Sequence, residues 1–301
     1  MAQLEVREPQ AGIWGFYPLN RGELLRTIEA CLLDKRFGPG RLPDRNARPR
    51  YTPVGGVVPH AGYSYSGPCA AHLYLELAEN APEVDTVVVM GTNHTGYGGV
   101  YTTTTRYKAW ATPLGTVETD IEFIELLKKL YPRLEDDYLA HMREHSIEVE
   151  LPFLQYIYGN NFKLVPIVVK EPSERMAREM AEAVKRAAEE LGRRILVIAS
   201  SDFTHHGYMY DYVLFTENVR ENVAKLDMAI IEHILRLDTK GFLETIYRYG
   251  ATVCGYGAIA TLIEYAKLEG ARAKLLKYYN SADVTGDEAA VVGYAAILFH
   301  L

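Results

Sequence analysis

The sequence predicts an α/β/α sandwich, with a central mixed, largely parallel sheet covered by helices on both faces, in a single domain over residues 1–301. Two observations carry this reading. Near-continuous Val/Ile/Leu runs recur at 51–59, 84–91, 162–169 and 194–200, as expected for strands buried on both faces, and helical segments alternate with them. No repeat, low-complexity tract or linker divides the chain, whose 301 residues are 48% hydrophobic, enough for one sizeable core.

The elements follow in order. Asn20 is placed to cap a helix near 21–34. Strand 51–59 leads through PHAGYSYSGP to a helix at 68–79 with Pro68 in its first turn, where a missing N–H costs nothing. After strand 84–91, Thr119 and Glu122 read as a capping box for a helix over 120–130, and a helix over 146–158 is expected to bend at Pro152. Strand 162–169 precedes an amphipathic helix, 173–191, stopped by Gly192. Strand 194–200, helices near 218–237, 239–249 and 255–269, and strands near 273–279 and 289–299 complete the chain.

A formal net charge of −7 argues against nucleic acid or an anionic membrane as the main partner. The local exception is 36–50, where Arg36, Arg41, Arg45, Arg48 and Arg50 sit among Gly and Pro; the segment reads as a solvated loop, or else as a grip for an anion. Cysteines at 31, 69 and 254 make no disulfide framework, and no apolar leader or membrane-length run is present, so a cytoplasmic location is expected. Cys31 and Cys69 lie in apolar helical runs and are expected in the core. Three glutamines are few, as in heat-adapted proteins.

In open α/β sheets ligands bind beyond the carboxyl ends of the strands. Three strands deliver histidine there: His60, His94, and the pair His205 and His206. Neutral imidazoles clustered beside glycines suggest a metal site open to a ligand. A third ligand is to be sought among Asp202, Glu144, His145 and Cys254. Cys254 precedes a helix, whose N-terminal dipole favours thiolate, although free cysteines are commonly just small buried residues. Asp202 is either the orienter of a histidine or a turn residue. Glu144 and His145 either face the same cavity or flank a helix capped by Ser146. His72, His141, His233 and His300 read as structural.

The motifs PHAGYSYSG, GTNHTG, EHSIEVELPFLQ, SSDFTHHG and TVCGYGAI, in this order, resemble the Memo family, also called AmmeMemoRadiSam system protein B. That family is similar in fold to the class III extradiol dioxygenases, which hold iron(II) between two histidines and a glutamate. The resemblance implies His60 and His94 as imidazole ligands, Cys254 in the place of the glutamate, and iron(II) or copper as cofactor. It further implies His205 as acid/base, with Asp202, Glu144 and His145 lining the pocket. Thr92 stands where the family often has proline, and a thiolate in place of a carboxylate shifts the metal preference toward softer ions. The system's name implies a radical-SAM protein and an AMMECR-type protein as partners.

The expected function is a metal-dependent, dioxygenase-like oxidoreductase with His205 moving protons and Asp202 orienting it. One alternative makes Cys254 the nucleophile of a thiol hydrolase with His205 and Asp202. Another is a peptide-binding module without catalysis, drawing on 22 tyrosines, on Arg48 and Arg50, and on the association of animal family members with phosphorylated receptor tails.

Overall fold

Side chains alternate across a strand, and in the middle of this sheet both directions lead into a core. The computed structural model describes residues 5–301, in a single α/β domain built on twelve strands among those residues. They are β1 (Val6–Arg7), β2 (Pro53–Val58), β3 (Thr86–Thr92), β4 (Tyr101–Thr103), β5 (Ala109–Thr112), β6 (Gly115–Thr119), β7 (Glu135–Asp136), β8 (Lys163–Val169), β9 (Ile195–Ser200), β10 (His205–His206), β11 (Arg272–Asn280) and β12 (Val291–His300). Their order is β1-β5-β6-β8-β3-β9-β2-β12-β10, with β11 on β12, and β4 on β7 and β8. Strands β8, β3, β9 and β2 run parallel; β12 runs antiparallel to β2.

Val57, Val88, Met90, Val165, Ile167 and Val197 enter one core, beneath helices Glu174–Leu191, Val219–Leu235 and Tyr256–Glu269. Their neighbours Val58, Val87, Val89, Leu164, Val168 and Ile198 enter the other, beneath helices Arg21–Leu33, Tyr63–Asn80 and Leu151–Tyr158. The sandwich is thus the predicted one. Asn20 caps its helix by accepting the Glu23 N–H, and Gly192 ends helix Glu174–Leu191 in the left-handed conformation.

Several local expectations need correction. The helix after β2 begins at Tyr63, so Pro68 lies inside it, where the carbonyl deprived of a donor belongs to the exposed Ser64. Tyr63 is buried in the core, with its hydroxyl on the Val149 carbonyl. Asp120, not Thr119, caps helix Ile121–Leu130, because Thr119 ends β6 and spends its hydroxyl on the Tyr107 carbonyl. Pro152 falls in the first turn of Leu151–Tyr158 and bends nothing; before it runs a 3-10 turn, Glu148–Glu150. The strands β1, β4, β7 and β10, of two or three residues each, are too short to leave a periodic signal.

The Arg-rich segment is tied down by its own arginines. Arg41 forks onto Glu79, Arg45 donates to the carbonyls of Tyr156 and Ile157, Arg36 reaches the Asp283 carbonyl, and Arg50 pairs with Glu76. Arg41 and Arg50 thus spend their charge on carboxylates, and Arg36 and Arg45 brace the segment through backbone carbonyls. His72, His141, His233 and His300 hold local partners: the carbonyls of Phe37 and Thr102, the Asp238 carboxylate and the Leu301 carbonyl.

The N-terminal segment is fastened by one buried charge. Arg7 and Glu148 are 2% and 0% exposed and pair at 2.6 Å; Glu148 also accepts from the Ala11 and Gly12 N–H groups and the Tyr17 hydroxyl. Glu148→Gln leaves Arg7 buried without its counter-charge, at a cost of about 3–5 kcal/mol. The expected outcome is a lower urea midpoint at unchanged slope, read by circular dichroism.

Candidate metal centre

Strands β3, β9 and β2 are neighbours, and each delivers a side chain two residues past its end: His94, Asp202 and His60. The loop Glu144–Ser146 closes over them. Gly91 permits this, since a Cβ there would lie 2.4 Å from Ser146 Oγ. The Thr92 N–H then donates to that hydroxyl oxygen at 2.9 Å. Cys254 arrives in the turn before helix Tyr256–Glu269, where Gly255 lets the backbone press on β9; a Cβ would meet the Ser200 carbonyl at 2.8 Å.

His60 is buried. Its backbone N–H donates to Asp202 Oδ1 at 2.9 Å, its Nδ1 lies 3.1 Å from Ser200 Oγ, and its Nε2 lies 3.4 Å from Cys254 Sγ. His94 is more open and places Nδ1 2.5 Å from Glu144 Oε1. His145 is stacked between Phe16 and His94, at ring distances of 4.5 and 4.7 Å, and meets His60 edge-on at 5.2 Å. One ring nitrogen from each of His60, His94 and His145 lies within 4.8 Å of the others. The thiol borders a cavity of about 470 Å3 lined by Thr92, Asn93, Val100, Lys170 and Tyr256. A larger cleft, about 720 Å3, opens at the starts of β2 and β9 and contains none of these groups.

Charge and burial compete here. Burial raises the Cys254 thiol, but the imidazoles of His60, His94 and His205 outweigh it and hold the thiol well below its ordinary range. Burial opposes charge on His60, yet the Asp202 carboxylate and the Cys254 thiolate raise it to about 10. His94 rises to about 9 against its burial, drawn by Cys254 and Glu144. Glu144, buried but bonded by His94 and Ser146, falls to about 2. His145 is pushed down to about 3 by burial and by the charge on His60, so it is neutral and offers a lone pair.

The predicted residues do not all stand where expected. Glu144 and His145 join the imidazole cluster, Glu144 through His94 and His145 by its own ring, and Ser146 is a buried link instead of a helix cap. Asp202 serves His60, with Oδ2 3.8 Å from its Nε2, and does not orient His205. His205 lies outside the imidazole cluster and is held by two carbonyls, Phe203 O at 2.9 Å and Thr252 O at 3.0 Å from Nδ1. A proton on Nδ1 satisfies them and leaves Nε2 as acceptor. His206 is structural: its Nε2 accepts the N–H groups of Leu214 and Phe215. The thiol's imidazole partner is His60, so the triad of Cys254 with His205 and Asp202 is not assembled.

Four contributors escaped the sequence reading: Phe16, Ser200, Glu150 and Asp227. Asp227, raised to about 6 mainly by burial, accepts from Thr204 and Tyr278 and anchors the chain just before His205. Glu148 and Glu150 carried one usable signal, two carboxylates inside an otherwise apolar stretch, IEVELPFL.

Comparison with known proteins gives this geometry a family. The profile described as Memo-like protein matches residues 7–298. A MEMO1 family protein of Methanopyrus kandleri is 46% identical over 285 residues, 94% of this chain and 95% of the relative. A MEMO1 family protein of Ignicoccus hospitalis is 43% identical over 295 residues, covering 97% and 98%. One from Thermotoga petrophila is 40% identical over 288 residues, covering 94% and 96%. With residues 7–298 matched by the family profile and 94% of its length aligned to a relative at 46% identity, the chain belongs to the Memo-like family.

Proposed function

We propose that the chain holds one d-block metal ion, iron(II) or copper, between His60, His94 and Cys254, with His145 as a further donor, and acts as a metal-dependent oxidoreductase. The observation that carries this is the meeting of three imidazole nitrogens within 4.8 Å, with a thiol 3.4 Å from one of them. A soft thiolate among imidazoles suits such ions. Ser200 and Glu144 occupy the Nδ1 atoms of His60 and His94, which leaves Nε2 of each for coordination. The Asp202 carboxylate balances charge beside His60, and the free Nε2 of His205 is the proposed proton carrier. When bound, the ion supplies an electron-transfer couple and a coordination position at the cavity wall. The dioxygenase-like chemistry and the radical-SAM and AMMECR-type partners belong to the same proposal through the family resemblance.

Metal content of anaerobically purified protein tests the reading. Near-stoichiometric iron or copper is expected in wild type and at least a tenfold loss in Cys254→Ser and His94→Ala, second-sphere effects alone reaching about 10–100-fold. Wild type that is metal-free and indifferent to added iron(II) or copper(I) overturns it. Affinity has a defined pH dependence: an imidazolium has no lone pair, so uptake displaces protons from His60 and His94. Binding should strengthen as pH rises from 7 toward the raised values, about 9 and about 10, as isothermal titration in buffers of different ionisation enthalpy will show.

The thiol gives a separate reading. At pH 7 Cys254 should react with iodoacetamide well before Cys31, which burial pushes to about 12, or Cys69, raised further by burial. Prior metal loading should protect it. Peptide mapping by mass spectrometry reports both, and alkylation that metal loading leaves unchanged would remove Cys254 from the proposed ligand set.

A further inference from the structure

Glu148 and Glu150 are both wholly buried, two residues apart in one 3-10 turn, and their surroundings differ. Glu148 has a cation, Arg7, and three further donors. Among the described residues, no lysine or arginine hydrogen-bonds Glu150. Its Oε1 accepts the Tyr74 hydroxyl at 2.8 Å, and its Oε2 lies 2.8 Å from Ser200 Oγ.

That serine decides where the protons are. Ser200 Oγ has three polar neighbours: Glu150 Oε2, the Ser146 carbonyl oxygen at 2.7 Å, and His60 Nδ1 at 3.1 Å. A hydroxyl has one proton and two lone pairs. The Ser146 carbonyl can only accept, so the hydroxyl proton goes to it; any other placement sets two lone-pair oxygens against each other at 2.7 Å in a dry interior. Both remaining neighbours must then donate. His60 does so from Nδ1–H, and a glutamate can do so only when protonated.

We propose that Glu150 is a neutral carboxylic acid in the folded protein at neutral pH and, through Ser200, fixes the proton of His60 on Nδ1, so that Nε2 faces Cys254. The role toward a metal rests on the reading of the centre given above; the protonation does not. The groups facing Glu150 agree with it. Helix Tyr63–Asn80 presents Tyr63, Tyr74 and Cys69, and the ends of β2 and β9 present His60 and Asp202; burial is the largest influence and raises the carboxyl to about 8, although Tyr74, Ser200 and His60 pull it down. Glu150 is thus a positioning residue one hydroxyl removed from a candidate ligand.

Infrared difference spectroscopy on metal-free protein at pH 7 tests the acid. The wild type should show a protonated-carboxyl stretch, shifted in D2O, that Glu150→Gln removes; a spectrum unchanged by that substitution overturns the proposal. Should Glu150→Gln not fold, Tyr74→Phe keeps the acid and frees its carbonyl oxygen from a hydrogen bond, so the band must move to higher frequency. A band that stays in place is equally fatal. Nitrogen-15 spectra of the imidazoles should show the His60 Nδ1–H signal alike in wild type and Glu150→Gln and shifted in Glu150→Leu, and a signal identical in all three overturns the second half. With cobalt(II) as probe, Glu150→Gln, which still donates to Ser200, should bind as wild type, and Glu150→Leu about 10–100-fold more weakly. Cobalt(II) binding by the leucine variant equal to wild type also overturns that half. Neither spectrum needs a metal, so a wild type that takes up no cobalt(II) sinks the metal centre alone.

Discussion

Parallel strands lie about 4.8 Å apart, so β2 and β3, with β9 between them, are separated by roughly 10 Å. Their imidazoles come within 5.4 Å because both lean over the end of β9. Everything at the centre follows from that bridging posture. The last residue of β9, Ser200, necessarily lies beneath His60, and a hydroxyl there can hold the ring where an apolar side chain would leave a buried N–H without a partner. The residue two further on, Asp202, takes the His60 backbone N–H and so sets the angle at which the ring departs from its strand. The remaining donors approach from outside the sheet, His145 on the closing loop and Cys254 at a helix start.

The loop that supplies His145 is dense in acid. Glu144, Glu148 and Glu150 fall within seven residues, and all are buried. Three unpaired charges there would be prohibitive. The structure resolves this differently for each: Glu144 is bonded by His94 and Ser146, Glu148 by Arg7, Tyr17 and two backbone amides, and Glu150 by two hydroxyls without any cation. Through Arg7 and Glu148 the N-terminal segment becomes part of the wall, and Phe16 on that segment stacks against His145. A residue near the start of the chain thereby fixes a ring in its middle.

The parallel core was legible because β2, β3, β8 and β9 are apolar on both faces, a pattern that survives without tertiary information. The post-strand positions of His60 and His94 were legible for the same reason, as loops at the carboxyl ends of such strands converge. Asp202 was found, but its partner was misjudged: adjacency in SSDFTHHG pointed to His205, whereas strand pairing puts β2 beside β9 and brings His60 to it. The capping box at Thr119 failed because strand pairing claimed Thr119 first. Ser200 was invisible, since nothing local distinguishes a serine that ends a strand, and the apolar setting of Glu150 pointed to burial without naming the two hydroxyls it meets across the fold. Phe16 was hidden by distance along the chain.

The candidate donors are widely scattered in sequence. His60 and Cys254 touch across 194 residues, and the strand that backs them, β12, ends at His300. Contacts of such separation form late, after most of the loop-closure entropy has been lost. During synthesis, the sheet edge bearing His60 and His94 therefore exists as a stretch of chain long before its thiol emerges. No nascent fragment that stops short of residue 254 carries the complete donor set, and the thiol reaches the imidazoles only after most of the sheet has been synthesised. A chain terminated before Cys254 has the imidazoles but lacks the thiol that would complete the centre.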